Sequence, residues 1–414
     1  MSDVVIIGAG LAGLSCALRL QEAGVDFVVL EAADAAGGRV RTDAERGFLF
    51  DRGFQVFLTS YAEAGRLLDF GALDLQFFDA GAQVFRQGRF SPLVDPWRRP
   101  AAGFRSLFGG CGSMLDKVRI ARLRTRVTSP DLETLLAQPE TTTRELLRQE
   151  GFGDEIIEAF FRPFLGGIFL ENELSTSSRK FRWVFRMFSK GRAAVPARGM
   201  GRIAEQLAAA VTGGRLQVNC PVERITKGCV HVADGRTLLC SQIVVATDAA
   251  TAVRLVDGLP EPRFRAATNL YYSLGEAPVR GPTLLLNGEP RGIVNNLAFM
   301  SEVSPLYAPR GRTLASVTVL GDPARDDAGL DDEVRRQLVD WFGMRVGEWK
   351  LERIYRIPRA LPDQSAGTLA EVRRSPRLQD WLVAAGDWRN IASINGALES
   401  GRLAAEAVLE KVLV

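Results

Sequence analysis

Val4-Val5-Ile6-Ile7-Gly8-Ala9-Gly10-Leu11-Ala12-Gly13 opens the chain, and Glu31 stands a little further on. The run 4–7 is short, apolar and β-branched, which predicts a buried strand. Gly8, Gly10 and Gly13 then fill a GxGxxG turn in the context it requires, between that strand and an apolar helix from Leu11 to about Ala23. The first glycine permits the tight turn, the second lets a pyrophosphate approach the backbone, and the third lets helix and strand pack closely. Around Ala12 the helix start offers free N–H groups and a partial positive charge to phosphates. Gly24 ends the helix and residues 27–30 form the next strand. At that strand's end Glu31 can accept hydrogen bonds from ribose hydroxyls, whereas a 2′-phosphate would be repelled there.

FAD and NAD share this fingerprint, so the choice rests on other segments. In Gly37-Gly38-Arg39 two glycines allow close backbone approach and the guanidinium can pair with a pyrophosphate oxygen. Near the end of the chain, Ala385-Gly386-Asp387 closes an apolar strand and Ser393-Ile394-Asn395-Gly396-Ala397 opens the last helix. An Asp on a tight turn can bind a sugar-alcohol hydroxyl, and a helix N-terminus can face the electron-rich pyrimidine edge of a flavin. An NAD enzyme has no evident use for such a closing piece, so FAD is the expected cofactor.

Between these ends, residues 90–190 read as mostly helical. Ile156, Ile157, Phe160, Phe161, Phe164 and Leu165 make a stripe on one helix face, which Pro163 is expected to kink or end. A helix over residues 201–211 and strands at 216–219, 223–225 and 242–246 follow, with a hairpin around Asp234-Gly235. Strand-like runs at 269–272, 283–286 and 314–320 precede a helix over 331–342. The expected fold is α/β: a Rossmann-type FAD-binding domain (residues 1–80, 191–255 and 375–414) with an interleaved α+β substrate domain (81–190 and 256–374).

Composition narrows the class. The 414 residues are 46% hydrophobic and 24% charged with a net charge of +3, which suits a globular core and gives no nucleic-acid footprint. Five scattered cysteines form no CxxC pair, which argues against structural zinc and a disulfide framework and fits a reducing, cytoplasmic setting. The single His231, on a strand-like run, cannot build a histidine cluster. With three residues before the first strand no leader peptide is expected, and no apolar run reaches the roughly 18 residues of a spanning helix.

The chain resembles the flavin amine oxidase superfamily. The likeness rests on Gly8–Gly13, Glu31, Gly37-Gly38-Arg39 and Phe50-Asp51-Arg52-Gly53-Phe54. It continues through Pro196, Gly199-Met200-Gly201, Val222 and residues 243–247, and ends with Gly386-Asp387 and residues 393–401. The resemblance implies that Val222 meets the adenine through its backbone and that the Gly53-Phe54 turn passes near the ring system. Within the superfamily, which includes protoporphyrinogen oxidases, the closing segment looks like that of the carotenoid and squalene desaturase branch. Amine oxidases usually carry an aromatic where Ser393 and Ile394 stand, and many place a Lys on a substrate-sheet strand. Here no Lys falls between residues 228 and 349, and no Cys beyond Cys240. Both lysine and aromatic absences speak against an amine substrate, and the missing Cys against a thioether link, so the FAD is expected to be non-covalent.

A desaturase-like reaction, hydride transfer from a substrate C–H to flavin N5, needs positioning and a dry pocket more than a strong base. The aromatics for such a pocket are Phe160, Phe161, Phe164, Phe169, Phe181, Trp183, Phe185 and Phe188, although core packing explains most of them equally well. Phe164 and Phe169 are the wall candidates, and Gln55 is a candidate polar pocket residue. Glu171, Glu173, Asn295 and Asn296 are further polar residues to place, and no catalytic residue is assigned. The expected substrate is a small hydrophobic, isoprenoid-type molecule; an amine, a porphyrinogen or a flavin scaffold without turnover are the alternatives. Residues 97–126 hold eight basic residues against one acid, with Trp97, Phe104 and Phe108 among them. That stretch reads equally as a peripheral contact with an anionic bilayer or as a solvated helical face.

Overall fold

Val4–Ile7, Phe27–Leu30, Gln242–Val245 and Leu382–Ala384 are apolar along almost their whole length and buried at every position, so they need cover on both faces. In the computed structural model, which describes residues 3–94 and 114–412, they form the centre of one six-stranded sheet. Its order is Leu216–Gln217, Phe27–Leu30, Val4–Ile7, Gln242–Val245, Leu382–Ala384 and Arg377–Gln379. The first five run parallel, with Val4 between Phe27 and Gln242, and the last is antiparallel. The opening helix (Leu11–Glu22) packs against the closing helix (Ile394–Val412). A Cβ on Gly401 would lie 2.0 Å from the Ala12 carbonyl oxygen, so glycine is what lets these two helices touch.

The second sheet has seven strands, in the order Lys350–Pro362, Phe264–Leu274, Thr313–Leu320, Val294–Phe299, Leu284–Asn287, Gly81–Arg86 and Arg89–Val94. All pairs are antiparallel except Leu284–Asn287 beside Gly81–Arg86. One face, through Leu270, Tyr272, Leu297 and Val317, packs on the Asp327–Phe342 helix at Leu330, Val334 and Leu338. Strand alternation turns Ala267, Asn269, Asn296 and Thr318 toward a cavity on the other face. Every strand of the first sheet lies within residues 1–80, 191–255 or 375–414, and every strand of the second within 81–190 or 256–374.

Two sequence expectations are corrected here. The stretch expected to be helical from residue 90 begins with the last strand of a hairpin. Gln87 and Gly88, both at positive φ, make the two-residue turn that matches strand twist. Helices begin, among the described residues, at Met114–Thr128. Nor does Pro163 end its helix. A π-helical stretch at Ile157–Phe161 runs without a break into Arg162–Phe169, so the hydrogen-bond ladder changes register just ahead of the proline and the helix continues past it. The strand Lys350–Pro362 is not marked in the sequence, because most of it is half-buried and no hydrophobic alternation runs along it.

Candidate functional site

A cavity of about 1940 Å³ is lined by residues of both sheets. At one end its wall is mostly backbone. A Cβ on Gly13 would meet the Gly8 carbonyl oxygen at 1.9 Å, so the opening helix starts directly against the strand end. A Cβ on Gly10, by contrast, would meet nothing within 4 Å. Gly10 is the N-cap and supplies no side-chain cap, so the first-turn N–H groups beside Leu11 and Ala12 are left for an anion. Glu31 lines the same end, with Oε2 accepting from the Ala9 amide (2.7 Å) and Oε1 from the Ala33 amide (2.8 Å). The Gly37 amide donates to the Ala9 carbonyl at 2.9 Å, which brings Gly38 opposite Gly10.

Arg39 leaves this loop and crosses the wall, donating to the Ala360 carbonyl (3.1 Å) and to Asp387 Oδ1 (2.6 Å). Asp387 sits on a short turn after Gly386, whose amide donates to Ser400 Oγ at 3.0 Å. Ser393 Oγ accepts from the Gly396 amide at 2.9 Å, and Ser393, Ile394 and Ala397 present the start of the closing helix to the cavity. Gln55 donates from Nε2 to the Arg39 carbonyl at 2.8 Å, while its Oε1 is buried without a hydrogen-bond partner. Gly53, Phe54 and Val222 complete this part of the wall.

Behind it lies a carboxylate not assigned from sequence. Asp51 is 1% exposed and accepts from Thr42 Oγ1 (2.5 Å), Tyr307 Oη (2.6 Å) and the Met200 amide (2.8 Å), while its carbonyl accepts from Tyr271 Oη (2.9 Å). Burial pushes its carboxyl up and both phenols well up. This network ties the Gly53-Phe54 turn to the second sheet. Its only sequence signal was membership of the Phe50–Phe54 segment.

The other end is walled by side chains. Phe160 stacks on Phe164 with centroids 5.3 Å apart, and Phe188 meets Phe164 edge-on at 5.3 Å. Phe54, Phe77 and Phe78 face them across the cavity. Its floor is a polar ladder of Asn296, Thr318 and Asn269: Asn295, behind the floor, donates to Asn296, Asn296 to Thr318 Oγ1, and Thr318 Oγ1 to Asn269 Oδ1, at 2.9, 3.2 and 3.2 Å. Arg124, Lys190 and Arg192 also line it, Arg192 standing 3.6 Å above the Phe77 ring.

Of the residues anticipated from sequence, Gly8, Gly10, Ala12, Glu31, Gly38, Arg39, Gly53, Phe54, Gln55, Phe164, Val222, Gly386, Asp387, Ser393 and Ile394 share this one cavity. Gly13 lies behind the wall in its packing role. Phe169 is corrected: its ring is 1% exposed and lies in the core beside Lys180, while its neighbours Ile168 and Leu170 are on the wall. A one-residue step along a helix turns a side chain by about 100°, which composition alone does not resolve. Glu171, Glu173 and Asn295 lie off the wall and Asn296 on it. His231 pairs with Arg224 and Thr237 on an outlying hairpin. Trp97, Phe104, Phe108 and the basic residues between 98 and 105 lie outside the described residues.

Parallel sheet, glycine turn, terminal acid and closing helix together define a dinucleotide-dependent oxidoreductase. More particularly, the chain belongs to the flavin-containing amine oxidoreductase family, whose model matches residues 11–409. It is 24% identical to coproporphyrinogen III oxidase from Propionibacterium freudenreichii subsp. freudenreichii, over 99% of this chain and 91% of that protein. It is 49% identical to the lycopene-forming phytoene desaturase of Pseudescherichia vulneris, but over only 24% of this chain and 18% of the relative. A triple mutant of putrescine oxidase shares the fold with a TM-score of 0.74 at 15% identity, covering 99% of both chains. The protein is an FAD-dependent oxidoreductase. Its residues suit that cofactor: an open glycine cradle at uncapped amides, a carboxylate at the strand end, and an orphaned Gln55 acceptor on the wall. Among the described residues no helix is long and apolar enough to cross a membrane, and no cluster of potential metal ligands occurs.

Proposed function

We propose that the protein removes hydride from a C–H bond of a hydrophobic, isoprenoid-type substrate, with FAD held non-covalently. The chain would divide into an FAD-binding domain (1–80, 191–255, 375–414) and a substrate domain (81–190, 256–374). Gly8, Gly10, Ala12 and Gly13 would build the pyrophosphate turn, with Gly38 and Arg39 beside it, Glu31 on the ribose and Val222 on the adenine. Asp387 would take a ribityl hydroxyl, exchanging its Arg39 partner for the ligand. Gly53, Phe54, Gly386, Ser393 and Ile394 would flank the ring, and the bound FAD supplies the two-electron acceptor.

The observation that carries this reading is the aromatic end of the cavity. Its total volume is about twice the upper bound of an ordinary small-ligand pocket of roughly 300–1,000 Å³. That leaves room for a second large molecule beside the dinucleotide. Rings of Phe54, Phe78, Phe160, Phe164 and Phe188 exclude water, and the floor amides are already hydrogen-bonded to each other. Glu31, Asp248 and Asp387 on the wall are engaged by amides, by a helix start and by Arg39, and the fourth wall carboxylate, Asp79, also has a partner, so none stands ready as a base. Hydride would pass from the positioned C–H bond to the flavin, and the adjacent proton of the resulting cation is acidic enough to leave to water, so desaturation asks for positioning and no strong base.

A second reading has its own support. Arg124, Lys190 and Arg192 on the wall suit the carboxylates of a porphyrinogen, and the relative matched along the whole chain is a coproporphyrinogen III oxidase. At the same end of the cavity, the Met114–Thr128 helix exposes Leu115 (55%) and Val118 (61%) beside the wall residues Lys117 and Ile120. That face fits peripheral contact with an anionic bilayer, from which a lipid-soluble substrate would enter. Anaerobic mixing of the holoenzyme with a polyprenoid hydrocarbon, coproporphyrinogen III and a panel of amines tests these readings. Flavin bleaching and a desaturated product with the hydrocarbon are expected. Bleaching by the porphyrinogen alone, abolished in Arg192→Ala, would replace the first reading with the second.

A further inference from the structure

Lys180 occupies the first turn of the Ser178–Lys190 helix and is 2% exposed. Trp183 and Val184, three and four residues further on, both line the cavity, so Lys180 lies on the cavity side of its helix. Its Nζ stands 5.6 Å from the centre of the Phe169 ring, between the wall residues Ile168 and Leu170. Among the described residues it has neither a hydrogen bond nor a carboxylate within salt-bridge distance. The other buried cations of this helix differ: Arg182 donates to the Pro139 carbonyl and Ser178 Oγ, and Arg186 to the carbonyls of Val127 and Pro130. A buried charge without a partner is costly to keep, which asks for a reason.

Two of the surrounding carboxylates are paired elsewhere, Asp387 with Arg39 and Asp363 with Arg265. Glu171 accepts through Oε1 from the Thr176 amide and hydroxyl, and its Oε2 is buried without a partner, beyond salt-bridge distance of Lys180. Burial, opposed by the attraction of Asp387, Asp363 and Glu171 and assisted by the repulsion of Arg265, brings the ammonium down to about 8. The helix start is also clamped to the segment that closes the cofactor site. The Ser177 amide donates to the Gln364 carbonyl at 2.9 Å, and the Gln364 side chain bonds the Asn390 carbonyl and the Ala392 amide at 2.7 and 2.9 Å. Lys180 therefore places a positive charge behind the end of the cavity that Ala392, Ser393 and Ile394 line.

We propose that Lys180 is the charge that raises the reduction potential of the bound flavin. Hydride transfer delivers two electrons and one proton, which leaves one unit of negative charge on the cofactor site. An uncompensated ammonium buried behind the wall favours that reduced state over the neutral oxidised one.

The test uses purified holoenzyme and no substrate, so it stands or fails apart from the substrate assignment. The midpoint potential is measured by dye equilibration, and the affinity for sulfite is measured as a probe of positive charge near the ring. Lys180→Met is expected to weaken the preference for the reduced state about tenfold, about 30 mV for a two-electron couple, and to weaken sulfite binding at least tenfold. Lys180→Arg is expected to retain most of both. Glu171→Gln removes a nearby negative charge while keeping an acceptor for Thr176, and is expected to raise the potential. A Lys180→Met potential equal to wild type, or an equal fall in Lys180→Arg, overturns the proposal. Should Lys180→Met not hold FAD, an unchanged or lowered potential in Glu171→Gln overturns it instead.

Discussion

At the dinucleotide end the cavity wall is main chain, with Gly8, Gly10, Gly37 and Gly38 brought together within the first 40 residues. At the substrate end it is side chain, with Phe54 and Phe78 from one segment, Phe160, Phe164 and Phe188 from another, and Asn269, Asn296 and Thr318 from the second sheet. A backbone wall recognises what every dinucleotide shares; an added Cβ would crowd main chain at Gly8 and Gly37 and fill the open cradle at Gly10. A side-chain wall can exchange its residues while the fold persists. The difference explains how one family can hold one cofactor and accept chemically unrelated substrates.

The sharpest way to break the contrast is Gly13→Val. Its Cβ would overlap the Gly8 carbonyl oxygen at 1.9 Å, and only main-chain movement relieves that clash. Overpacking of this kind costs about 3 kcal/mol or more, and the purified protein is expected to be colourless, without flavin absorbance after saturation with FAD.

Asp51→Ala attacks the seam between the two ends. It strands the Tyr307 and Thr42 hydroxyls and the Met200 amide in a buried site. At about 1–3 kcal/mol for each unsatisfied group, partly relieved by water, a loss of about 3 kcal/mol in denaturant unfolding is expected. An unchanged midpoint would mean that the network does not hold the sheets together.

Lys180→Met sharpens the comparison through pH. The ammonium is held at about 8 in the folded protein against an ordinary 10.5, so the unfolded chain binds more protons between these values and wild-type stability rises with pH there. Below pH 8 the buried cation costs the FAD-free protein up to about 3 kcal/mol, at 1.36 kcal/mol per unit of pKa. Thermal melts of the FAD-free proteins are therefore expected to favour the Met variant at pH 7 and to converge toward pH 10.5. A constant offset across that range would show that Lys180 is not a strained cation.

Phe164→Ala is the mildest change. Phe164 is half-buried between Phe160 and Phe188, so stability is expected to fall by only about 1–2 kcal/mol, below the 3–5 kcal/mol of a fully buried Phe→Ala. Flavin content should stay at the wild-type level while KM for the hydrophobic substrate rises several-fold. Loss of flavin in this variant would erase the distinction between the two ends.

How far each end could be read from sequence follows the same division. The residues 4–13 motif, Glu31 and Gly386-Asp387 were legible because each is a local pattern whose geometry the main chain dictates. The wall position of Phe164 and the core position of Phe169 were not separable, since both fit the same apolar helix and only its rotation distinguishes them. Lys350–Pro362 escaped because its half-buried residues break the alternation that marks a strand. Asp51 and Lys180 gave no sign of their burial, since a carboxylate or an ammonium in a sequence looks solvated until its neighbours are placed.

By itself, then, the amino-acid sequence determined the βαβ opening, the dinucleotide chemistry and the return of the chain to close it, because short-range sterics and hydrophobic period act within a few residues. Only the tertiary structure decided which aromatics face the cavity, which charges lose their water and how the two sheets are joined. Those outcomes depend on contacts such as Asp51 with Tyr307 or Lys180 with Phe169, between residues whose separation along the chain carries no local signal.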